Sequence, residues 1–582
     1  MRIAARTSSS DQTALVDFAA VQERLRGWRT RAAQIDWTPW LIIGFGAFLR
    51  ILLLGIKPPH FDEGINGWFV DQMTKTGFYR YDPTNYHGPL HFYVLFLSQT
   101  LFGRNLWALR MPVVLVSIAC IYLALKFETF VGRNVARLAA LAMAVSPGFI
   151  FYGRYSIHEV WLLLFTMLFL FGLLGLWKFG TINYLWFAGM GLTGMVLTKE
   201  TYILHLACVA LALPAIWLSH KISPLPDIKP ARQRWTEVDL VVVVATGVAL
   251  TVFFYSGTFF NWEGVKGVYE TFATWFQTGK NGNGHEKAWH YWLMLMARYE
   301  WPVAIGVCFC LIYSWTWKNV ASAIAIATVA TQLIFWLLAK RGIIGFQPDN
   351  QLFWLPAGIG AGLLLLFGST CIAHAELRAT AIYTAGVLIA YSIVSYKTPW
   401  CIINIAWPFL FLFGAAILAI PSKYRLIANV IAMLALCVSL GSAIWLNYFR
   451  FTKDTEPYVY VQTYKDVNRL TQPLLTLAHR NPIYYQLIGH MIRTSAYPFP
   501  WILGDFPRIG YYERDNLPDK VDADFLLVQE DRIAAVEKQL HDSYYTMPLT
   551  IRPYQDTSKL YLSGKTFKGF FPDRSPDFNG SH

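Results

Sequence analysis

The chain has 582 residues, 55% of them apolar and only 15% charged, with a mean hydropathy of +0.37. Soluble domains carry about 25% charged residues, so a soluble enzyme, a disordered protein and a collagen-like fibre are excluded; long apolar runs between short polar breaks make a polytopic membrane protein. The net charge of 49 − 36 = +13 comes without a basic run interleaved with aromatics, which suits lipid headgroups or a phosphate-bearing substrate and not nucleic acid.

Residues 1–38 form a basic tail with Arg2, Arg6, Arg24, Arg26, Arg29 and Arg31. It lacks a short apolar stretch followed by a small-residue cleavage site, so it is not a signal peptide. By the positive-inside rule it lies in the cytoplasm. A transmembrane domain follows over 39–448. About 13 segments meet the roughly 20-residue requirement for a span: near 40–56, 104–126, 134–151, 157–178, 183–198, 201–219, 239–257, 290–316, 319–339, 351–371, 377–393, 400–420 and 426–447. A further apolar stretch, 88–102, is short, follows a Gly-Pro, and reads as interfacial or re-entrant. It lies in a long first outer loop, 57–103. The odd number of spans leaves the C-terminal segment outside. There PYVYVQT, NPIYYQLIG and ADFLLVQE read as strands, DVNRLTQPLLTLAHR and DRIAAVEKQLHDS as helices, giving a small α/β domain over 449–566. Residues 567–582 read as a disordered tail. All seven cysteines fall in apolar segments, so no disulfide framework is expected.

Polar residues gather at the outer ends. Asp62 and Glu63 are a general base or metal-holding pair, or else Asp62 caps a helix starting at Glu63. FYGRYSIHEVW packs Arg154, His158 and Glu159 together, where charged residues also commonly snorkel or pair. Lys199 and Glu200 stand in LTKET, which is also a short polar cap between two spans. The GKNGNG stretch leads to His285, Glu286 and Lys287 as a mobile connector or a lid; it lacks the Gly-Lys-Ser/Thr of a phosphate loop. Lys397 sits between Tyr396 and Trp400, an anion site or an interfacial anchor. Arg50, near the outer end of the first span, either snorkels or meets the acid pair. On the expected topology all of these lie on one face, and the middles of the spans are nearly free of charge. A transporter or flippase of lipid-linked sugars is the alternative reading, but it would carry its ionisable groups near mid-span.

HFDEG, YHGPLHFY, SPGFIFYGRYSIHE, LTKET, GHEKAWHYW, YKTPW and PYVYVQT resemble the GT-C membrane glycosyltransferases of the protein O-mannosyltransferase and aminoarabinose-transferase type. The likeness is nearest to the prokaryotic flippase-activity-associated glycosylation proteins, and runs over most of residues 40–530. Glu159 stands where many relatives carry Asp. The resemblance implies an inverting transfer from a polyprenyl-phosphate-linked sugar to a protein, lipid or glycan acceptor at the outer face of the cell membrane. It implies Asp62 as base with Glu63 and Glu159 in support. Arg50, His87, Arg154, His158, Lys199, Glu200, His285, Lys287, Tyr396 and Lys397 would bind substrate. Arg154, Lys199 and Lys397 are expected to converge on the donor phosphate. A divalent cation, if one is used, would sit at Asp62 and Glu159; no other cofactor is implied.

Overall fold

The computed structural model describes residues 36–85, 87–225, 230–281, 285–314, 320–343, 351–513 and 516–580. The basic tail up to residue 35 and residues 282–284 of GKNGNG lie outside the described residues.

The chain is a mostly helical membrane protein. Among the described residues six helices are long and apolar enough to span a bilayer, and shorter apolar helices accompany them. The expected count of thirteen is thus met in part among the described residues. Two of the expected spans are broken, and proline is the cause in both. The 134–151 run becomes Arg133–Val145 and Pro147–Tyr152, with Ser146 capping the second piece. The 290–316 run becomes Tyr291–Tyr299 and Trp301–Ser314, separated at Glu300 just before Pro302. A proline cannot donate to the preceding turn, so a helix restarts there at little cost. The two breaks meet. Glu300, buried, accepts hydrogen bonds from Ser146 Oγ at 2.5 Å, from the Gly148 amide at 2.7 Å and from Tyr458 Oη at 3.1 Å. One carboxylate thus satisfies the exposed helix start and ties the membrane domain to the segment leading into the C-terminal domain.

The helices Glu159–Phe179 and Ile182–Val196 pack as a close hairpin turned at Gly180, whose φ is +66°. Small residues permit the approach: a Cβ on Gly172 would lie 2.2 Å from the Ala188 nitrogen. The helix Pro399–Ala419 is the most enclosed span and crosses the centre of the bundle.

In the segment after the first apolar helix, the helix Phe61–Thr76 is capped at its start by His60, in a capping box with Glu63. The 88–102 stretch is the helix Leu90–Phe102. The C-terminal part holds a six-stranded sheet in the order β2-β1-β3-β5-β4-β6. Its strands are β1 Gly489–Ile492, β2 Ile509–Tyr512, β3 Phe525–Gln529, β4 Ser543–Leu549, β5 Ser558–Ser563 and β6 Phe578–Asn579. β1 pairs in parallel with β2 and β3; the remaining pairs are antiparallel. All five residues of β3 are buried, as a doubly covered central strand requires. The helix Asn468–Arg480 covers one face through Leu470 and Leu474.

Three expectations fail here. NPIYYQLIG is mostly a 3-10 turn, Pro482–Gln486, with only its last residue, Gly489, in β1. PYVYVQT is not a strand; Val461 has φ +47° and the run is irregular, because its polar groups bind the membrane domain instead of a sheet. The 567–580 stretch is not disordered: β6 closes the sheet, Asp577 accepts from Thr546 Oγ1 at 2.7 Å, and Phe578 packs on Tyr544 and Tyr561. Its prolines and charges hid a two-residue strand too short to show a period.

The C-terminal domain is seated on the Phe61–Thr76 helix. Gly67 leaves room for the Trp501 indole, which a Cβ there would approach to 2.4 Å. Arg104 joins Asp71 through two 2.9 Å contacts and also reaches Asp505.

Candidate active site

A polar cavity of about 140 Å³ lies where the Phe61–Thr76 helix, the LTKET turn and the YKTPW segment meet. Its walls carry Asp62, Asn66, Asn85, His87, His158, Glu159, Lys199, Glu200, Tyr396 and Thr398, with Trp275, Tyr391 and Trp400 as aromatic cover. The structure thus brings Asp62, His87, His158, Glu159, Lys199, Glu200 and Tyr396 together, from segments far apart in sequence.

Asp62 stands in the first turn of its helix with its side chain about one-third exposed (32%). Its amide donates to His60 Nδ1, and the other ring nitrogen of His60 lies 3.0 Å from the Tyr460 carbonyl, which fixes the ring with its proton on Nε2. Glu63, one residue on, points the other way. It is fully buried and takes Arg110 in both arms, at 2.8 and 2.7 Å, together with the amides of His60 and Ser156. Burial raises the Glu63 carboxyl, but the Arg110 guanidinium outweighs that and holds it below its ordinary value. Glu63 is therefore a structural anchor outside the cavity.

Lys199 forms the centre of a buried triad, 2.8 Å from Glu159 and 3.6 Å from Glu200; Glu200 in turn is 2.9 Å from His87. Burial works to lower the Lys199 ammonium, but Glu159 and then Glu200 overcome it and hold it well above the usual lysine value. The LTKET turn is placed by its neighbour strand of loop: the Gly88 amide donates to the Thr198 carbonyl at 3.1 Å and the Leu90 amide to the Leu197 carbonyl at 3.0 Å. Gly88 is required there, since a Cβ would lie 2.3 Å from the Leu197 carbonyl. His158 packs between His87 and His91, with ring centroids 4.5 and 4.4 Å away. Burial first, then His91 and His87, push it well below the usual imidazole range, so it is neutral; its Nε2 has no partner among the described residues.

The three cations expected to converge do not. Arg154 donates to the carbonyls of Leu49, Arg50 and Leu53, satisfying the end of the Thr38–Ile51 helix where water is excluded. Arg50 neither snorkels nor meets the acid pair; it bonds Ser117 Oγ and the carbonyls of Gly46, Met143 and Ala144. Lys199 is held by its two carboxylates. Only Lys397, with Lys287, faces a second cavity.

That second cavity is an apolar groove of about 370 Å³ walled by Trp289, Leu293, Val307, Leu366 and Leu388, with Lys287 and Lys397 among its lining residues. The wall between the two is the extended segment 395–398. It is held by the Lys287 amide donating to the Ser395 carbonyl at 3.1 Å, and by the Lys397 amide donating to the His285 carbonyl at 3.0 Å. Side chains of an extended chain alternate. Ser395 and Lys397 accordingly line the groove, Tyr396 and Thr398 the polar cavity. Lys397 Nζ reaches the Lys287 and Val394 carbonyls, and burial pushes it down to about 8. His285 packs at a tilt against Tyr396, and Glu286 bridges to Tyr396, so the 285–287 segment forms part of this wall and not a separate lid.

Asp62 and Glu159 do not make a cation site, because the cation already bound to Glu159 is Lys199; among the described residues no group of three or more metal-ligating side chains occurs. Sequence reasoning missed Arg110, Asn66, His91 and Tyr391. Arg110, a lone charge inside an apolar run, was the one readable signal.

Residues 86–225 match the family model described as dolichyl-phosphate-mannose-protein mannosyltransferase. This segment contains His87, His158, Glu159, Lys199 and Glu200. A crystal structure of ArnT from Cupriavidus metallidurans bound to undecaprenyl phosphate is similar over 92% of this chain and 98% of that one, with a TM-score of 0.51 and 13% identity. The chain has the GT-C glycosyltransferase fold. The apo structure of the same ArnT covers 93% of this chain and 99% of its own, with a TM-score of 0.47 and 12% identity. Comparison of the sequence with curated proteins gives no match. The matched segment supplies the Lys199 triad, while Asp62 and Lys397 come from outside it.

Proposed function

We propose that the chain transfers a sugar from a polyprenyl-phosphate-linked donor to an acceptor hydroxyl at the extracytoplasmic face of the cell membrane, with inversion at the sugar. The observation that carries this reading is the shared wall at 395–398, with an apolar groove on one side and a polar cavity on the other. A lipid-linked sugar has the same division: an apolar tail, an anionic link and a polar head. The tail lies along the groove, the phosphate meets Lys397 and Lys287, and the sugar reaches over the wall to Tyr396, His158 and Glu159.

In the transfer, the acceptor oxygen bonds to the anomeric carbon as the bond from that carbon to the phosphate oxygen breaks. The electron pair leaves with the lipid phosphate, and the acceptor proton passes to the Asp62 carboxylate. Lys397 and Lys287 meet the charge that grows on the leaving oxygen. Lys199 fixes Glu159 and Glu200 in place, and the neutral His158 offers its free nitrogen to a sugar hydroxyl. The resemblance to the ArnT structure bound to undecaprenyl phosphate supports a donor of this class.

The test is to purify the protein in native lipid and identify the bound lipid by mass spectrometry. A polyprenyl phosphate or its glycosylated form, lost in Lys397→Ala, supports the reading. Its absence from the wild-type protein counts against it.

A further inference from the structure

Arg552 lies in the turn between β4 and β5, far from every motif that marks the membrane domain. The turn is fixed from below: the Tyr464 amide donates to the Ile551 carbonyl at 2.7 Å. This carries the Arg552 guanidinium over the ring of Phe61, 3.6 Å from its centroid. Phe61 is the residue before Asp62, so the C-terminal domain delivers a cation to the rim of the polar cavity. It acts on Asp62, which lines the cavity, and on His285, which packs against the cavity residue Tyr396.

The surroundings separate Arg552 from a structural arginine. Its neighbour Arg493 uses its donors on the Ser495 carbonyl, Ser558 Oγ and Gln555. Arg552 makes no hydrogen bond or ion pair among the described residues; its guanidinium lies on a ring face, which leaves its N–H edge to other partners. Burial pushes it down to about 10, so it remains a cation at neutral pH. A half-buried guanidinium with an unused fork suits a phosphate, which it can hold through two parallel bonds. Tyr554, two residues on, is 89% exposed with a φ of +61°, so the same turn also presents an exposed aromatic ring.

We propose that Arg552 is a phosphate-binding residue of the transfer site, supplied by the C-terminal domain. The proposal rests on the reading of the cavity given above. The phosphate belongs either to the lipid-linked donor or to an acceptor that carries one beside its hydroxyl, and the two sources separate by experiment.

The full-length protein in zwitterionic nanodiscs is titrated with undecaprenyl phosphate and, separately, with glycerol 1-phosphate, for the wild type, Arg552→Gln and Arg552→Lys. Thermal unfolding is followed in parallel. A loss of about tenfold or more in Arg552→Gln, partly restored in Arg552→Lys, supports the proposal. If the loss is for undecaprenyl phosphate, the source is the donor; if for glycerol 1-phosphate, it is the acceptor. Affinities for both probes within twofold of wild type overturn it, as does a fall in unfolding temperature alone. Wild-type protein that binds neither probe also overturns it. Wild-type protein that binds glycerol 1-phosphate through Arg552 but not undecaprenyl phosphate sinks the donor reading and leaves this proposal standing.

Discussion

Glu63 holds Arg110 through both carboxylate oxygens, at 2.8 and 2.7 Å, with both side chains fully buried. Four donors saturate this carboxylate, so it has no capacity left for a substrate. Removing it leaves Arg110 as an uncompensated buried charge, which costs about 3–5 kcal/mol. Glu63→Ala is expected to lower the unfolding temperature sharply and to reduce the folded yield. A variant as stable as wild type would remove Glu63 from the structural role.

Lys199 is shared between Glu159 and Glu200, so the three side chains act as a unit. Lys199→Met leaves two carboxylates facing each other without their cation. Lys199→Met combined with Glu159→Gln is expected to be less destabilised than the sum of the single variants, by about 0.5–3 kcal/mol. Additive losses measured by thermal or denaturant unfolding would show that the triad is not coupled.

Gly88 places the LTKET turn through the contacts of its own amide and that of Leu90. Gly88→Ala puts a methyl group onto the Leu197 carbonyl. The expected result is a loss of transfer of about 100-fold, the scale of a misplacement of about 1 Å, while the far-ultraviolet circular dichroism stays unchanged. Normal turnover in Gly88→Ala would mean that the turn is not rigidly placed.

Lys397 binds phosphate only as the ammonium, and burial has brought it to about 8. Its charge, and with it donor affinity, is present below that value and lost as pH rises through it. Bound phosphate favours the charged form and moves the break upward. Titrations with undecaprenyl phosphate from pH 6.5 to 9.5 should show affinity falling at the alkaline end, with the fall absent in Lys397→Arg. A flat profile in the wild type would leave Lys397 as a packing residue.

Residue types told more than residue geometry. The clustering of Asp62, His158, Glu159, Lys199 and Glu200 is visible along the sequence because each interrupts or borders an apolar run. The roles of Arg50 and Arg154 were not visible, because a carbonyl at a helix end leaves no mark in the sequence, and both arginines serve such carbonyls. The helix breaks at Ser146 and Glu300 were signalled by the prolines that follow, but hydropathy averaged over a window runs through them. The sheet of the C-terminal domain was legible at β3, where five apolar-to-amphipathic residues lie together, and hidden at β6, where two residues carry no period. The contact of Arg552 with Phe61 joins positions 491 residues apart, and no local pattern records it.

The central claim is that Asp62, and not its neighbour, takes the acceptor proton. The direct measurement is sugar transfer from a polyprenyl-phosphate donor by purified Asp62→Asn and Glu63→Gln, each scaled to its folded fraction. Asparagine keeps the size of Asp62 and removes its basicity, so the account predicts a protein of wild-type stability without transfer, and a Glu63→Gln protein that is less stable but active in its folded fraction. Full transfer by Asp62→Asn, with none from folded Glu63→Gln, would contradict it.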